Sequence, residues 1–148
     1  MHVTVRPATP ADVPVLRDVY RRASLSNDGD RALFSEHPEL LEWSGPAVAE
    51  GRVRVAVSDG RVAGFATVAF TGTGAEVEDL FVAPEWGRRG VGRALVEAIV
   101  AIARSAGWRC LEVDANPHAV DFYTRVGFTA VGEATVPYGT GVRMRRST

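Results

Sequence analysis

A seven-residue stretch in the middle of the chain combines three glycines with three arginines, residue types that suit the binding of phosphate groups. It reads Gly87-Arg88-Arg89-Gly90-Val91-Gly92-Arg93. Glycine lets a ligand approach the backbone because it has no side chain, and arginine offers a permanently charged, planar set of donors that matches phosphate oxygens. The stretch therefore predicts an anion site.

The elements on either side of this turn strengthen the prediction. Apolar residues from Val77 to Val82 predict a strand that ends at Pro84, because proline cannot donate to a strand ladder. The apolar residues after the turn recur at helical spacing, and they are Val91, Leu95, Ile99 and Ile102. The amides of the first helical turn have no partner within a helix, and the helix dipole is positive there. A strand, a glycine turn and a helix in this order favour a bound phosphate.

Two common nucleotide motifs do not fit. A dinucleotide fingerprint needs a third glycine, but Gly90-Val91-Gly92 is followed by Arg93-Ala94-Leu95. A Walker A loop needs Gly-Lys-Ser/Thr, and the sequence contains no lysine. A nucleotide-binding regulatory module that uses the Gly-Arg turn alone stays as an alternative, which competition by coenzyme A but not by ATP or NAD would dismiss.

Two motifs resemble the GCN5-related N-acetyltransferase (GNAT) family. The stretch from Leu80 to Leu95 looks like its acyl-CoA-binding core, and Asn116-x-x-Ala119-x-x-Phe122-Tyr123-x-x-x-Gly127-Phe128 looks like its second motif. The family's turn is Gln/Arg-x-x-Gly-x-Gly/Ala, whereas this chain has Gly87 at the Gln/Arg position. The resemblance implies that the backbone cradle is kept and that the side-chain contact at position 87 is absent.

The resemblance also implies roles for individual residues. The backbone of Leu80, Phe81 and Val82 would pair with the pantetheine amides, and Asn116 would lie near the pantetheine arm. Tyr123 would place its hydroxyl near the thioester sulfur. The pyrophosphate would be held by Arg88, Arg89, Gly90, Val91, Gly92 and Arg93.

The transfer of an acetyl group to an amine needs a base, because a lysine-like amine has a pKa of about 10.4 and is protonated at neutral pH. We favour Glu78, acting through water, although a strand carboxylate is often simply solvated. Glu76 shares its strand face and is a weaker candidate, whereas Asp79 should face the other way unless a bulge re-aims it. Tyr123 is the candidate proton donor to the leaving thiolate, although a tyrosine on an amphipathic helix is more often part of a core. A backbone N–H near Phe81 is the candidate donor to the carbonyl oxygen.

Other reactive residue types give weaker signals. Cys110 opens a short apolar strand without an adjacent histidine, so we interpret it as a packing residue rather than a nucleophile. His118 could approach the acceptor but is more often solvated in such a place. Three scattered histidines and one cysteine provide no ligand spacing, so no metal is predicted.

Composition predicts an ordinary globular protein. The chain has 148 residues, 46% of them hydrophobic, and a net charge of −1, so we expect a single domain over residues 1–148. A net charge of −1 does not indicate binding to nucleic acid or to an anionic membrane. One cysteine, no membrane-length apolar run and no signal-peptide pattern together predict a cytoplasmic protein.

The elements are expected in the order β-α-α-β-β-β-α-β-α-β-β, an α/β fold with a mixed sheet, as in the resembled family. Asp59-Gly60 predicts a hairpin turn, and a second helical region is expected between Ala32 and Trp43. The resemblance implies a splay between the fourth and fifth strands, which makes room for the thioester. It also implies that residues 26–51 and the turn at 137–139 decide the acceptor.

We therefore expect an acetyl-CoA-dependent N-acetyltransferase in which a small-molecule or peptide amine attacks directly in a ternary complex. A non-catalytic acyl-CoA sensor on the same fold is the alternative, and turnover with any amine would separate the two. Homodimers are frequent in the family, but no exposed apolar stripe in the sequence requires one.

Overall fold

The computed structural model describes residues 2–26, 35–36, 38, 43, 45–87, 89–136 and 139–148. The strands are β1 Val3–Pro7, β2 Val53–Ser58, β3 Arg61–Thr71, β4 Gly74–Val82, β5 Cys110–Ala115, β6 Thr129–Val136 and β7 Gly139–Ser147. The α-helices of the described residues are α1 Val13–Leu25, α2 Pro46–Ala49, α3 Val91–Ser105 and α4 Val120–Arg125. Short 3₁₀ helices occur at Pro10–Asp12, Pro84–Trp86 and Pro117–Ala119. Apart from α2, which lies outside the predicted second helical region, the element order agrees with the prediction from sequence. No helix in the described part of the chain has the length and apolarity to cross a membrane.

The strands form one seven-stranded mixed sheet in the order β1-β2-β3-β4-β5-β7-β6. β1 pairs with β2 and β2 with β3 in antiparallel fashion, whereas β4 and β5 are parallel, as the intervening helix requires. The β4–β5 register joins Ala75 to Leu111 and Glu76 to Glu112, although β4 itself continues to Val82. This short ladder near the start of both strands agrees with the splay expected between the fourth and fifth strands.

The chain divides into two compact units. The first contains the described residues of Met1–Thr67 together with Asp79–Leu95, and the second contains Val68–Glu78 with Val96–Thr148. The core of the first unit comprises Leu16, Val19, Ala47, Val48, Val53, Val55, Phe65 and Ala83. Fully or almost fully buried side chains of the second unit include Ile99, Val100, Ala103, Leu111, Phe128 and Met144.

The entry to α1 is held by a carboxylate. Asp12 accepts hydrogen bonds from both terminal nitrogens of Arg6, at 2.8 and 2.9 Å, and from the backbone N–H of Thr9 at 2.7 Å. The hydrogen bond from Arg6, more than any other contact, lowers the pKa of Asp12 to about 2. The Thr9 hydroxyl also contacts the Asp12 carboxylate at 3.2 Å. Thr9 and Asp12 together form a capping box at this turn.

Local sequence signals account for the hairpin but not for α2. Asp59 and Gly60 both have positive φ angles, 52° and 75°, as the predicted two-residue turn requires. α2 is a four-residue helix after Gly45, whose φ of 75° places it in the left-handed region. The predicted helical region between Ala32 and Trp43 lies largely outside the described residues, as do residues 137–138.

Candidate active site

The predicted phosphate turn lies at the N-terminus of α3. The first helical hydrogen bond runs from the N–H of Ala94 to the carbonyl of Gly90 at 3.0 Å, so the amides of Val91 and Gly92 precede it. Gly90 has a φ of +83°, and no described heavy atom lies within 4 Å of the place where its Cβ would be. A left-handed glycine with open space beside the helix N-terminus fits a backbone cradle for phosphate oxygens.

Basic side chains stand around this turn in the first unit. The Arg89 guanidinium lies over the Trp86 ring, 5.6 Å from its centroid, and Trp86 packs against the core of the unit. A cation–π contact of this kind orients the guanidinium without neutralising its charge. Arg93 is exposed on the first turn of α3, whereas Arg88 falls outside the described residues.

An ion pair fixes the start of the same turn. Arg22 on α1 donates from Nη1 to both carboxylate oxygens of Glu85, each at 2.7 Å. This hydrogen bond lowers the pKa of Glu85. The segment Pro84–Trp86, on which Arg89 stacks, is therefore tied to α1. Sequence spacing could not have indicated this contact, because 63 residues separate its partners.

The C-terminal half of β4 is packed closely against a glycine in β3. A Cβ on Gly64 would lie 2.6 Å from the Phe81 carbonyl oxygen, 3.2 Å from the Val82 Cα and 3.3 Å from Leu95 Cδ1. Leu80, Phe81 and Val82, the predicted pantetheine-contacting residues, are each half-buried. Sequence reasoning missed Gly64, although a glycine inside a strand pattern often marks such a close approach.

The three carboxylates of β4 have different surroundings. Glu78, the favoured base, is exposed, and Asp79 is half-buried. The Asp79 Oδ2 accepts a hydrogen bond from the indole Nε1 of Trp43 at 3.1 Å. Glu76, the weaker candidate, accepts a hydrogen bond from Arg143 at 2.7 Å.

Arg143 of β7 is the centre of a charge network in the second unit. Its nitrogens contact Glu76 at 2.7 Å, Asp114 at 2.7 Å and Glu112 at 3.3 Å. Burial lowers the pKa of Arg143, but hydrogen bonds from its guanidinium to Asp114 and Glu76 outweigh burial and raise it. Through Arg143, Glu76 of β4 is joined to β5 and β7, so this network ties three strands of the sheet together.

Four aromatic rings of the first unit contact one another in series, and the last of them, Trp43, reaches Asp79. Tyr20 meets Phe81 edge-to-face at 4.7 Å, Phe81 meets Phe65 at 5.7 Å, and Phe65 meets Trp43 at 4.9 Å between centroids. Phe65 is fully buried, whereas Tyr20, Trp43 and Phe81 are half-buried. Sequence reasoning did not bring these residues together, since no periodicity links α1, position 43 and two strands.

The second predicted motif lies entirely in the second unit. Asn116 has extended backbone angles and accepts a hydrogen bond from the N–H of Ala119 at 2.9 Å. Tyr123 on α4 is only 6% exposed and makes edge-to-face contacts with Phe122 at 5.1 Å and Phe128 at 5.2 Å. Cys110 is half-buried and His118 is exposed.

The structure thus groups the predicted residues in two sets. The first unit holds the strand end and the turn, from Leu80 to Arg93, and the second unit holds Asn116 and Tyr123. Glu78 belongs to the second unit and Asp79 begins the next segment of the first. Within the described residues, no three histidine, cysteine or acidic side chains are grouped so as to hold a metal ion.

Comparison with known proteins agrees with these features. The model of the acetyltransferase (GNAT) family matches residues 15–128, which includes both motifs. An aminoglycoside N(6')-acetyltransferase type 1 from Stenotrophomonas maltophilia is 33% identical over 139 residues, which cover 87% of this chain and 84% of that protein.

Solved structures show the same fold. A GCN5-related N-acetyltransferase from Rhodopseudomonas palustris superposes with a TM-score of 0.79 at 22% identity, covering 100% of this chain and 97% of the other. The PaiA N-acetyltransferase from Thermoplasma acidophilum, solved with coenzyme A, gives a TM-score of 0.76 at 16% identity with full coverage of both chains. The chain belongs to the acetyltransferase (GNAT) family and is an acetyl-CoA-dependent N-acetyltransferase.

Proposed function

We propose that this enzyme acetylates a primary amine of a small molecule by direct attack in a ternary complex. The observation that carries the proposal is the turn at the N-terminus of α3, where Gly90 leaves open space and Arg89 is held over Trp86. Acetyl-CoA supplies the acetyl group as a thioester. The chain must then bind the pyrophosphate, align the thioester, accept a proton from the amine and donate one to the leaving thiolate.

In this proposal the cofactor is held by the residues that the family motifs indicate. The amides of Val91 and Gly92, with Arg88, Arg89, Gly90 and Arg93, bind the pyrophosphate. The backbone of Leu80, Phe81 and Val82 binds the pantetheine arm, and Asn116 lies near it. Gly64 supports this assignment because its missing Cβ allows the close packing of the β4 backbone at Phe81 and Val82.

Proton transfer is assigned to two side chains. Glu78, which is exposed, removes the amine proton through water. A backbone N–H near Phe81 donates to the carbonyl oxygen as negative charge develops there. The Tyr123 hydroxyl donates a proton to the leaving thiolate, whose thiol has a reference pKa of about 8.5.

The acceptor and the setting of the enzyme are further parts of the proposal. The Stenotrophomonas relative is named for an aminoglycoside, which is a small-molecule amine, and this favours a small acceptor over a peptide. We propose that the chain works as one acetyltransferase domain over residues 1–148, in the cytoplasm, and without a metal. A measurement of mass in solution tests whether it forms a homodimer.

Thermal and denaturant unfolding with and without acetyl-CoA tests the cofactor site. Acetyl-CoA at 100 times its dissociation constant should add about 2.7 kcal/mol to the free energy of unfolding. Gly90→Val should reduce this gain, because a branched side chain intrudes on the cradle. Gly60→Val is the matched control, since Gly60 also has a positive φ and open space but lies in the β2–β3 turn. An equal gain in both variants would refute the turn assignment.

Measurement of turnover tests whether Tyr123 is the general acid. Tyr123→Phe should lower kcat about 100-fold, within the usual range for general acid catalysis, and leave the dissociation constant of acetyl-CoA nearly unchanged. Unchanged turnover would show that Tyr123 only packs against Phe122 and Phe128. The assay follows thiol release with a panel of primary amines that includes an aminoglycoside.

A further inference from the structure

The carboxylate of Glu85 lies in the segment that leads into the phosphate turn. Glu85 is the one acidic residue of the sequence between positions 80 and 96, a stretch in which Arg88, Arg89 and Arg93 supply positive charge. The phosphate groups of acetyl-CoA are anions, so an uncompensated carboxylate in this segment would oppose the binding that the arginines favour. The contacts of Glu85 therefore bear on the affinity for the cofactor.

Arg22 on α1 contacts Glu85 with a guanidinium that is held from two sides. Its Nη1 donates to both carboxylate oxygens of Glu85 at 2.7 Å, and its Nε donates to the Asp18 Oδ2 at 2.8 Å. Asp18 lies one turn earlier on the same helix. The hydrogen bond to Glu85 raises the pKa of Arg22, and the same bond lowers the pKa of Glu85, so both groups are charged at neutral pH. The Glu85 charge is thus compensated by a side chain that α1 holds in place.

The backbone that carries Glu85 is also held in place. Glu85 is the middle residue of the 3₁₀ helix Pro84–Trp86, and the Trp86 N–H donates to the Ala83 carbonyl at 2.8 Å. Ala83 is fully buried and donates its own N–H to a carbonyl of β3 at 2.8 Å. The Trp86 ring contacts the Arg89 guanidinium, so this helix adjoins the phosphate turn. Glu85 therefore stays beside the turn, and its charge has to be compensated there.

We propose that Arg22 supports the binding of acetyl-CoA by cancelling the charge of Glu85, which would otherwise repel the phosphate groups of the cofactor. The inference rests on the proposed function, because it concerns the phosphate turn that is assigned there. Arg22 acts through Glu85, lies outside both sequence motifs and is therefore a positioning residue rather than a catalytic one. Both hydrogen bonds to Glu85 come from one nitrogen, so the contact depends on a positive charge at one point rather than on the planar fork of arginine.

Isothermal titration of charge variants with acetyl-CoA at two ionic strengths tests this role. Arg22→Gln should weaken binding about fivefold at about 0.01 M salt and less than about twofold at about 0.5 M, because salt screens charges that are exposed to solvent. Arg21→Gln is the matched control. Arg21 is the preceding residue of α1 and is exposed, so its loss removes the same charge from the helix but keeps the contact between Arg22 and Glu85. The control should bind within about twofold of wild type at both salt concentrations.

Two further variants separate charge compensation from a purely structural contact. Adding Glu85→Gln to Arg22→Gln removes the uncompensated carboxylate and should return the affinity to within about twofold of wild type. Arg22→Lys keeps the positive charge and should also bind within about twofold of wild type. A contact that only held the fold together would leave the double variant as weak as Arg22→Gln. With an amine from the panel above, kcat at saturating acetyl-CoA should stay within about twofold of wild type in every variant, since the contact acts on binding.

Two results would overturn the proposal. One is an Arg22→Gln variant that binds acetyl-CoA as tightly as Arg21→Gln at low salt; the other is a double variant that binds no better than Arg22→Gln alone. Gly90→Val is titrated in the same series. Weaker binding by Gly90→Val together with unchanged binding by Arg22→Gln refutes only this inference, whereas a wild-type protein that does not bind acetyl-CoA refutes the proposed function and this inference with it.

Discussion

The two ends of β4 hold their carboxylates in different ways. Near its start, Glu76 lies in the paired part of the strand and contacts Arg143, which also binds Glu112 and Asp114. Near its end, Asp79 accepts a hydrogen bond from the indole of Trp43, a half-buried ring that packs against Phe65. The first contact joins strands through opposite charges, whereas the second joins a strand to an aromatic side chain through a hydrogen bond. The two ends of one strand are thus held by different kinds of interaction.

The largest expected effect concerns the packing at the end of β4. Gly64→Val should lower the free energy of unfolding by about 3 kcal/mol and weaken acetyl-CoA binding, because the new side chain would collide with the Phe81 carbonyl and with Leu95. Gly72→Val is the control, since no described atom lies within 4 Å of its Cβ position. Urea unfolding of both variants, with and without acetyl-CoA, measures the stability and the binding. A Gly64 variant as stable as the control would mean that β4 can move away freely.

The charge network at the start of β4 should have the next largest effect. Arg143→Gln leaves three carboxylates facing one another and should destabilise the protein by about 1–3 kcal/mol. This loss is smaller than for a fully buried ion-pair network, because Arg143 and its partners are partly exposed to solvent. The carboxylates around Arg143 raise its pKa above the ordinary arginine value, so the guanidinium keeps its charge throughout the neutral range and the loss should be the same at pH 6 and pH 9. Urea unfolding at both values, with exposed Arg61→Gln as control, checks this. A loss that disappears by pH 9 would contradict the network's role.

The smallest effects separate the two carboxylates directly. Glu76→Gln should cost about 1 kcal/mol of stability, whereas Asp79→Asn should cost less than about 0.5 kcal/mol, because the amide oxygen can still accept the indole hydrogen bond. Urea denaturation of the two variants on matched preparations provides both numbers. Similar profiles for the two variants would remove the distinction between the ends of β4.

The sequence predicted those parts of the molecule that depend on neighbours along the chain. The turn at Asp59-Gly60, the helix that begins at Val91 and the element order all follow from local spacing and turn chemistry. The helix at Pro46–Ala49 was missed because it is one turn long and begins after a left-handed Gly45 that no periodicity marks. Alternation predicts opposite faces for Glu78 and Asp79, but it carries no information on what contacts Asp79. Trp43 reaches Asp79 across 36 residues, and only packing of α1 and β3 brings the rings there.

The close approach at Gly64 also bears on how such an enzyme can diverge. A glycine whose Cβ position is occupied by a neighbouring backbone cannot be replaced without a compensating change elsewhere. Gly64 and Arg143 are thus constrained by the packing and charge that they satisfy, whereas turn positions with open space, such as Gly72, accept substitution. Sequence change in this chain's lineage can therefore accumulate in its turns on an otherwise constant scaffold.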